Sequence, residues 1–337
     1  MKNKIIIIAE AGVNYNGDIG IAKKMVKAAA AAGADYVKFQ TGIPKRDVSV
    51  FAEKAAYQKI NTGDEKGSES QLEMCSKLML PFEVYPELIR CCEEHNIRFL
   101  SSPFDPQSAI FLHEMGMHLW KIPSGEITHF PMLKVIASYG EPVIMSTGMA
   151  TLEEIETSLR YLKGNGAGPV TLLHCNSEYP TPYPDANLLA MHTMKEHFGL
   201  EVGYSDHTLG IEVPVAAAAL GARIIEKHFT LDKNMEGPDQ ISSIEPDELK
   251  QMVEYIRHVE AALGSGVKEP TASERKNINV VRKSIVAEGF IRKGEVFTDN
   301  NLACKRPGGG ISPMEWDNVL GKTAIRDFQP DEMIELG

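Results

Sequence analysis

A chain of 337 residues has room for one large domain, or for a large one with a small companion. With 43% hydrophobic and 24% charged residues it reads as an ordinary soluble globular fold. Its net charge of −11 excludes broad contact with a nucleic-acid backbone, though not a local basic pocket for a small anion. No apolar run approaches the roughly 20 residues of a membrane span. Five cysteines (Cys75, Cys91, Cys92, Cys175 and Cys304) without CxxC spacing read as reduced thiols of a cytoplasmic protein.

The opening "MKNKIIIIAEAG" runs a short apolar stretch straight into Glu10, which predicts a first strand over 4–10 and not a signal peptide. Asp18 can then cap a helix whose apolar positions Ala22, Met25, Val26 and Ala29 keep helical spacing, with Gly33 ending it. "ADYVKFQ" (34–40) predicts the second strand. The unit recurs, with strands predicted at 97–102, 118–122, 142–147, 170–175, 201–205 and 222–228. Helices are predicted near 107–115, 131–139, 151–163, 185–198, 210–220 and 246–262. Eight short apolar strands with helical crossovers predict a parallel (β/α)8 TIM barrel. A doubly wound sheet is the competitor, but no GxGxxG follows the first strand. The interval 41–96 breaks the rhythm, and its polar stretch 61–71 predicts a mobile loop on the catalytic face.

The barrel is expected to occupy 1–263. Residues 264–282 lack a useful apolar stripe and read as a linker. Residues 283–337 alternate short apolar stretches with Gly and Pro, predicting a small β-rich domain near the lower size limit for independent stability.

Barrel active sites lie at the C-terminal ends of the strands. Here those ends offer Glu10, then Lys38 with Gln40, Ser101 with Ser102, and Lys121. The later strands offer Ser146 with Thr147, Cys175 with Asn176 and Ser177, Ser205 with His207, and finally His228. The lysines and the hydroxyls of Ser102, Ser124, Ser146, Ser177 and Ser205 suit a phosphate ester that also carries a carboxylate. His207 and His228, ending neighbouring strands, can hold one divalent metal, with Mn²⁺, Zn²⁺, Co²⁺ or Fe²⁺ suiting imidazoles better than Mg²⁺. Glu10 and Glu126 are candidates for proton transfer or for binding substrate hydroxyls, unless one of them only orients a lysine. Asp206 reads either as orienting a neighbour or as a cap for the helix that follows. Cys91, Cys92 and His95 read as helix packing or surface, and His113, His192, His197 and His258 as helix residues away from the rim.

These stretches taken in order, "IIAEAGVNYNGD", "GADYVKFQT", "FLSSPFD", "KIPSGE", "STGM", "LLHCNSEYPTPY", "GYSDHTLG" and "EKHFTLDKNMEGPD", resemble the sialic acid synthase family over nearly the whole chain. "IRKGEVFTDNNL" and "KRPGGGISP" resemble that family's C-terminal antifreeze-like (SAF, β-clip) domain. The resemblance implies a transferase that forms a C–C bond between phosphoenolpyruvate and the open-chain form of N-acetylmannosamine, with water, giving N-acetylneuraminate and phosphate. By resemblance His207 and His228 hold the metal, typically Mn²⁺, with Mg²⁺ or Co²⁺ as alternatives. Lys38, Ser102, Ser124 and Ser146 match positions near the phosphoenolpyruvate carboxylate, and Lys121, Ser177 and Ser205 match positions near its phosphate. Glu10, Gln40, Tyr179 and Asp239 match sugar-binding positions, and Glu126 a carboxylate at the reacting centre. Arg306 matches an arginine that reaches into the other subunit's barrel, implying a domain-swapped homodimer.

The chain departs from the family pattern at Tyr15, where a His is common, at Ser177, where Asn or Thr is common, and at Gln240, where some branches have His. A branch making legionaminic acid from 2,4-diacetamido-2,4,6-trideoxymannose shares most of the motifs, and "AEAGVN" and "EKHFTLDKNMEGPD" look closer to it. The pseudaminic branch usually has Phe at the Gly of "KIPSGE". A metal-dependent aldolase or a 3-deoxy-sugar-phosphate synthase is the rival enzyme reading, although no second basic cluster awaits another phosphate. A carbohydrate- or ice-binding role for the small domain is the rival outside enzymes.

Overall fold

The computed structural model describes residues 4–64 and 66–337. Residues 1–3, which precede the predicted first strand, and Glu65, within the predicted loop 61–71, lie outside the described residues. The first half of the chain runs β1 (Ile6–Gly12), α1 (Ile19–Ala32), β2 (Tyr36–Thr41), α2 (Pro44–Asp47), α3 (Ala56–Asn61), α4 (Gln71–Leu78), α5 (Tyr85–Glu94), β3 (Arg98–Pro103), α6 (Pro106–Glu114) and β4 (Trp120–Ile122). It continues through α7 (Phe130–Ser138), β5 (Val143–Ser146), α8 (Leu152–Gly164), β6 (Val170–His174), α9 (Ala190–Phe198), β7 (Val202–Asp206), α10 (Glu212–Ala219), β8 (Ile224–His228) and α11 (Pro246–Ala262).

The local chemistry explains these boundaries. The Asp18 carboxylate accepts the N–H groups of Gly20 and Ile21, and Gly33 closes α1 with φ 85°. Between them Ala22, Met25, Val26, Ala29 and Ala32 turn inward, as their spacing predicts. β1 is buried along nearly its whole length, as a strand covered on both faces must be.

All pairings in the large sheet are parallel, in the order β3-β2-β1-β8-β7-β6-β5-β4. β3 and β4, the two ends of that order, lie side by side and close a (β/α)8 barrel. The open doubly wound alternative is thereby set aside.

Two expectations change. The interval 41–96 holds four helices, α2 to α5; α3 and α4 are six and eight residues long, too short and polar for their pattern to show. The helix expected over 185–198 is interrupted, because Asn187 takes φ 41° and only α9 continues beyond it. Among the described residues no helix is long and apolar enough to cross a membrane, and all five cysteines are free thiols.

The chain divides into two compact units, the first ending at Gly264 and the second spanning Ser265–Gly337. In the second, α12 (Ala272–Val281) lies within the stretch read as a linker and buries none of its side chains. β9 (Ser284–Ala287) pairs antiparallel with β10 (Leu302–Lys305), and a short helix α13 (Trp316–Val319) follows. Ile285, Ile291, Phe297, Val319, Phe328 and Ile334 belong to a core of its own.

Candidate active site

Strand alternation sends every second side chain into the barrel, so the register decides which polar residues meet. Glu10 on β1 lies opposite Lys38 on β2 and His228 on β8, and Ser205 on β7 lies opposite Glu226 on β8. These side chains line one cavity of about 500 Å³ at the C-terminal mouth of the barrel.

Its floor is an alternating chain of buried charges. Lys38 Nζ sits 2.8 Å from Glu10 Oε2 and 3.8 Å from Glu226 Oε2, and Lys121 Nζ sits 3.4 Å from Glu226 Oε1. Lys38 also donates to Ser102 Oγ at 3.2 Å, Lys121 to Ser146 Oγ at 2.8 Å, and Ser205 Oγ to Glu226 Oε1 at 2.9 Å. Burial works to neutralise Glu226, but Lys121, Lys38 and the Ser205 hydroxyl hold its pKa below the ordinary value. Glu10 goes the other way, pushed up to about 7 by burial against the pull of Lys38. Burial lowers the pKa of Lys121, whereas for Lys38 burial is outweighed by Glu10 and Glu226, which raise it.

The second wall carries neutral donors. Ser124 Oγ accepts the Gly148 N–H at 3.0 Å and lies 3.1 Å from Cys175 Sγ. A Cβ on residue 148 would stand 2.4 Å from Ser177 Oγ and 2.9 Å from Ser124 Oγ. Only glycine therefore lets the "STGM" backbone approach these hydroxyls.

On the third wall, His207 and His228 face each other with ring centroids 5.4 Å apart, and Tyr179 packs against both. His207 donates from Nδ1 to the Asn176 carbonyl, which leaves Nε2 as a free acceptor. Burial drives the pKa of His207 down to about 4 and that of His228 well below its usual value, so both are neutral imidazoles. His228 Nδ1 and Glu10 Oε1 are buried without a hydrogen-bond partner, and Asp239 Oδ2 lies 3.8 Å from His228 Nδ1. Burial raises Asp239 to about 6.

The donor set fits a divalent cation: two neutral imidazoles beside a carboxylate, with the Nδ1 of one imidazole, His228, left without a partner. Charge points the same way. Against two lysines stand ionised Glu226 and the titrating Glu10 and Asp239, so the cavity's side chains carry at most about one net positive charge, too little alone for a phosphate ester bearing a carboxylate.

Of the residues singled out from sequence, Glu10, Lys38, Gln40, Ser102, Lys121, Ser124, Ser146, Ser177, Tyr179, Ser205, His207, His228 and Asp239 all line this cavity. Two do not. Glu126 turns its carboxylate to His129 Nδ1 at 2.5 Å and is absent from the lining. Arg306 is an exposed residue of the second unit, just beyond β10.

Two of the three departures from the family pattern also fall outside the cavity. Tyr15 is buried with its hydroxyl 3.3 Å from the Gln40 carbonyl, and Gln240 is committed to Thr230 Oγ1 and the Asn14 carbonyl. Only Ser177 faces the ligand space. Asp206 does not cap α10; it pairs with Lys227 and holds Thr208.

Sequence reading missed Glu226, although its position two residues before His228 on β8 puts both on one face. It also missed the α2–α4 segment, which contributes Asp47, Tyr57, Gln58, Met74 and Cys75 to the wall.

A parallel barrel with buried lysines, hydroxyl donors and paired imidazoles at its mouth defines a class: a barrel enzyme for small anionic substrates. Residues 25–268 match the NeuB family and residues 282–336 match the SAF domain, and the chain belongs to the NeuB family with an appended SAF domain. It is 52% identical to the N,N'-diacetyllegionaminic acid synthase of Campylobacter jejuni, over 98% of this chain and 99% of that protein. It is 46% identical to the Legionella pneumophila protein of the same name, over 94% of this chain and 89% of that one. The crystal structure of the N-acetylneuraminic acid synthetase of Leptospira borgpetersenii, in complex with citrate, matches 82% of this chain and 90% of its own, with 36% identity and a TM-score of 0.70.

Proposed function

We propose that this protein is a nonulosonic acid synthase that joins phosphoenolpyruvate to the open-chain aldehyde of an N-acylated mannosamine-type sugar. The identities of 52% and 46% to two N,N'-diacetyllegionaminic acid synthases favour 2,4-diacetamido-2,4,6-trideoxymannose as that sugar. N-acetylmannosamine is the second reading, favoured by the structural match to an N-acetylneuraminic acid synthetase. The two sugars differ at positions that a few polar contacts can discriminate.

The observation that carries the reaction type is the buried chain Glu10–Lys38–Glu226–Lys121 beside the hydroxyls of Ser124 and Ser177. Lys38, Ser102, Ser124 and Ser146 hold the carboxylate of phosphoenolpyruvate, and Lys121, Ser177 and Ser205 hold its phosphate. Gln40, Tyr179 and Asp239 bind the sugar. His207 and His228 hold the metal, by our reading Mn²⁺, which when bound polarises the aldehyde oxygen as a Lewis acid. C3 of phosphoenolpyruvate attacks the aldehyde carbon, forming the new C–C bond, and the aldehyde oxygen ends as a hydroxyl carrying the proton that the added water gives up. Water adds to the cationic C2, and the C2–O bond to phosphate then breaks, leaving the ketone and inorganic phosphate. Glu10, titrating near 7, is suited to take the proton from that water. Glu126, turned to His129, acts at most through a rearranged side chain. Arg306 reaches the site of a partner subunit in a domain-swapped homodimer and contacts the N-acyl group.

The test is phosphate release from phosphoenolpyruvate with Mn²⁺ and each sugar in parallel. Release with the diacetamido sugar at a kcat/KM at least about tenfold above N-acetylmannosamine is expected, and it should be lost in His207→Ala. The reverse preference would move the protein to the N-acetylneuraminate reading. No release with either sugar, or undiminished release in the variant, removes the assignment.

A further inference from the structure

The opposite end of the barrel carries a second constellation of metal-binding groups. His113 closes α6, His118 stands two residues before β4, and Glu141 stands two residues before β5. One ligand atom from each lies within 4.8 Å of the others. His118 Nδ1 is 2.5 Å and His113 Nδ1 3.7 Å from the same carboxylate oxygen, Glu141 Oε1. The other oxygen, Oε2, accepts the indole N–H of fully buried Trp120 at 2.7 Å, which fixes the carboxylate plane and leaves Oε1 facing the imidazoles. The His113 ring stacks on Tyr139 at 3.7 Å between centroids, so its plane is set as well.

His113 Nδ1 is buried and has no hydrogen-bond partner. A buried imidazole nitrogen with nothing to bind is uncommon, and a metal ion beside Glu141 Oε1 would satisfy it. His118 is two-thirds exposed and borders an open depression of about 700 Å³, so an ion can enter from solvent.

We infer that His113, His118 and Glu141 form a second divalent-metal site, of the Zn²⁺ class, at the N-terminal end of the barrel. Two imidazoles and one carboxylate, with water completing the shell, are a ligand set that Zn²⁺, Co²⁺ and Ni²⁺ accept and Mg²⁺ does not favour. Its place in the fold indicates a structural role. The three ligands tie the end of α6 and the entries of β4 and β5 together, where β4, only three residues long, meets β3 to close the barrel. Nothing in it depends on the reaction at the opposite mouth.

Trp120 provides the probe. In the full-length protein carrying Trp316→Phe, Trp120 is the one remaining tryptophan. Co²⁺ titrated into this chelator-stripped protein should quench its fluorescence saturably, and Zn²⁺ should reverse the quenching. His118→Asn should raise the midpoint at least about tenfold, and Glu141→Gln, which can still accept the Trp120 N–H, should do the same. His207→Ala should leave the midpoint unchanged, and loss of quenching in that variant would assign the signal to the catalytic mouth and overturn the inference. So would an absence of saturable quenching, or an unaltered midpoint in both His118→Asn and Glu141→Gln.

Discussion

Lys227 and Asp206 sit where strand alternation turns them away from the barrel interior, each adjacent in sequence to a proposed metal ligand. Their side chains are fully buried, with Nζ 2.5 Å from Oδ2, and Lys227 also reaches the Thr208 carbonyl. Removing one member leaves an uncompensated buried charge, so Asp206→Ala should lower stability by about 3–5 kcal/mol. The double change Asp206→Leu with Lys227→Met should recover most of that loss. Urea unfolding of the three proteins decides it, and an equal deficit in the double variant would show that the ion pair is not the cause.

His207 makes a prediction about pH. Burial holds its pKa at about 4, opposed by the bond to the Asn176 carbonyl, against 6.5 for a free imidazole. Above pH 6.5 the ring is neutral in both folded and unfolded chains and contributes no slope. Between pH 6.5 and about 4 only the unfolded chain takes up this proton, so the His207 contribution should lower stability by about 3 kcal/mol across that window. Unfolding of metal-free protein at successive pH values measures the slope, and His207→Asn should flatten it by that amount. A variant with the same slope would sink the idea.

At the scale of elements, the segment 41–96 builds the wall that the barrel strands do not. Lys54, with its side chain fully buried, bonds Asp64 at 2.7 Å and Glu69 at 3.1 Å, gathering the polar stretch around one ammonium. Asn61, at the end of α3, donates to the Pro238 carbonyl beside Asp239, and Tyr57 stacks on Tyr179 with centroids 5.1 Å apart. The stretch expected to be mobile is thus tied to the cavity wall where it begins and gathered around Lys54 beyond it. Lys54→Met should raise the sugar KM several-fold with kcat less affected, and should speed proteolytic cleavage within 61–70. Kinetics and limited proteolysis check both effects; unchanged cleavage would mean that Lys54 does not hold the segment. Composition concealed all this, because the stabilising contacts are ion pairs made over 10 to 15 residues and not an apolar stripe.

At the scale of the whole molecule, the second unit has its own core but only 73 residues, Ser265–Gly337, to build it. Under the proposed function Arg306 serves a neighbour's cavity, and subunit mixing tests this. Arg306→Ala and His207→Ala proteins, each strongly impaired, should regain about a quarter of wild-type activity when unfolded together and refolded. Half of the dimers are then mixed, and each mixed dimer has one intact site. If Arg306 acts within its own subunit, no mixed dimer has an intact site and activity stays low.

Periodicity and punctuation were enough to read the eight strands, most crossover helices and the polar rim. Apolar runs of four to seven residues separated by helical spacing have few other solutions than a parallel barrel. The rim residues followed from the rule that barrel chemistry gathers at strand C-termini. Glu226 went unread because its role depends on lying between Lys38 and Lys121, which are 83 residues apart in the chain. Glu126 shows the converse: its motif placed it at the rim, and the short turn after β4 aimed it at His129.

The sequence by itself determined the barrel, the paired histidines, the lysines and hydroxyls at its mouth, and the small domain beyond, because each is written in local pattern and strand parity. Only the tertiary structure decided which charges neutralise one another, which imidazole nitrogens stay free, and that His113, His118 and Glu141 converge at the far end. Those are properties of distances between elements, set by barrel closure and packing, and no local pattern encodes them.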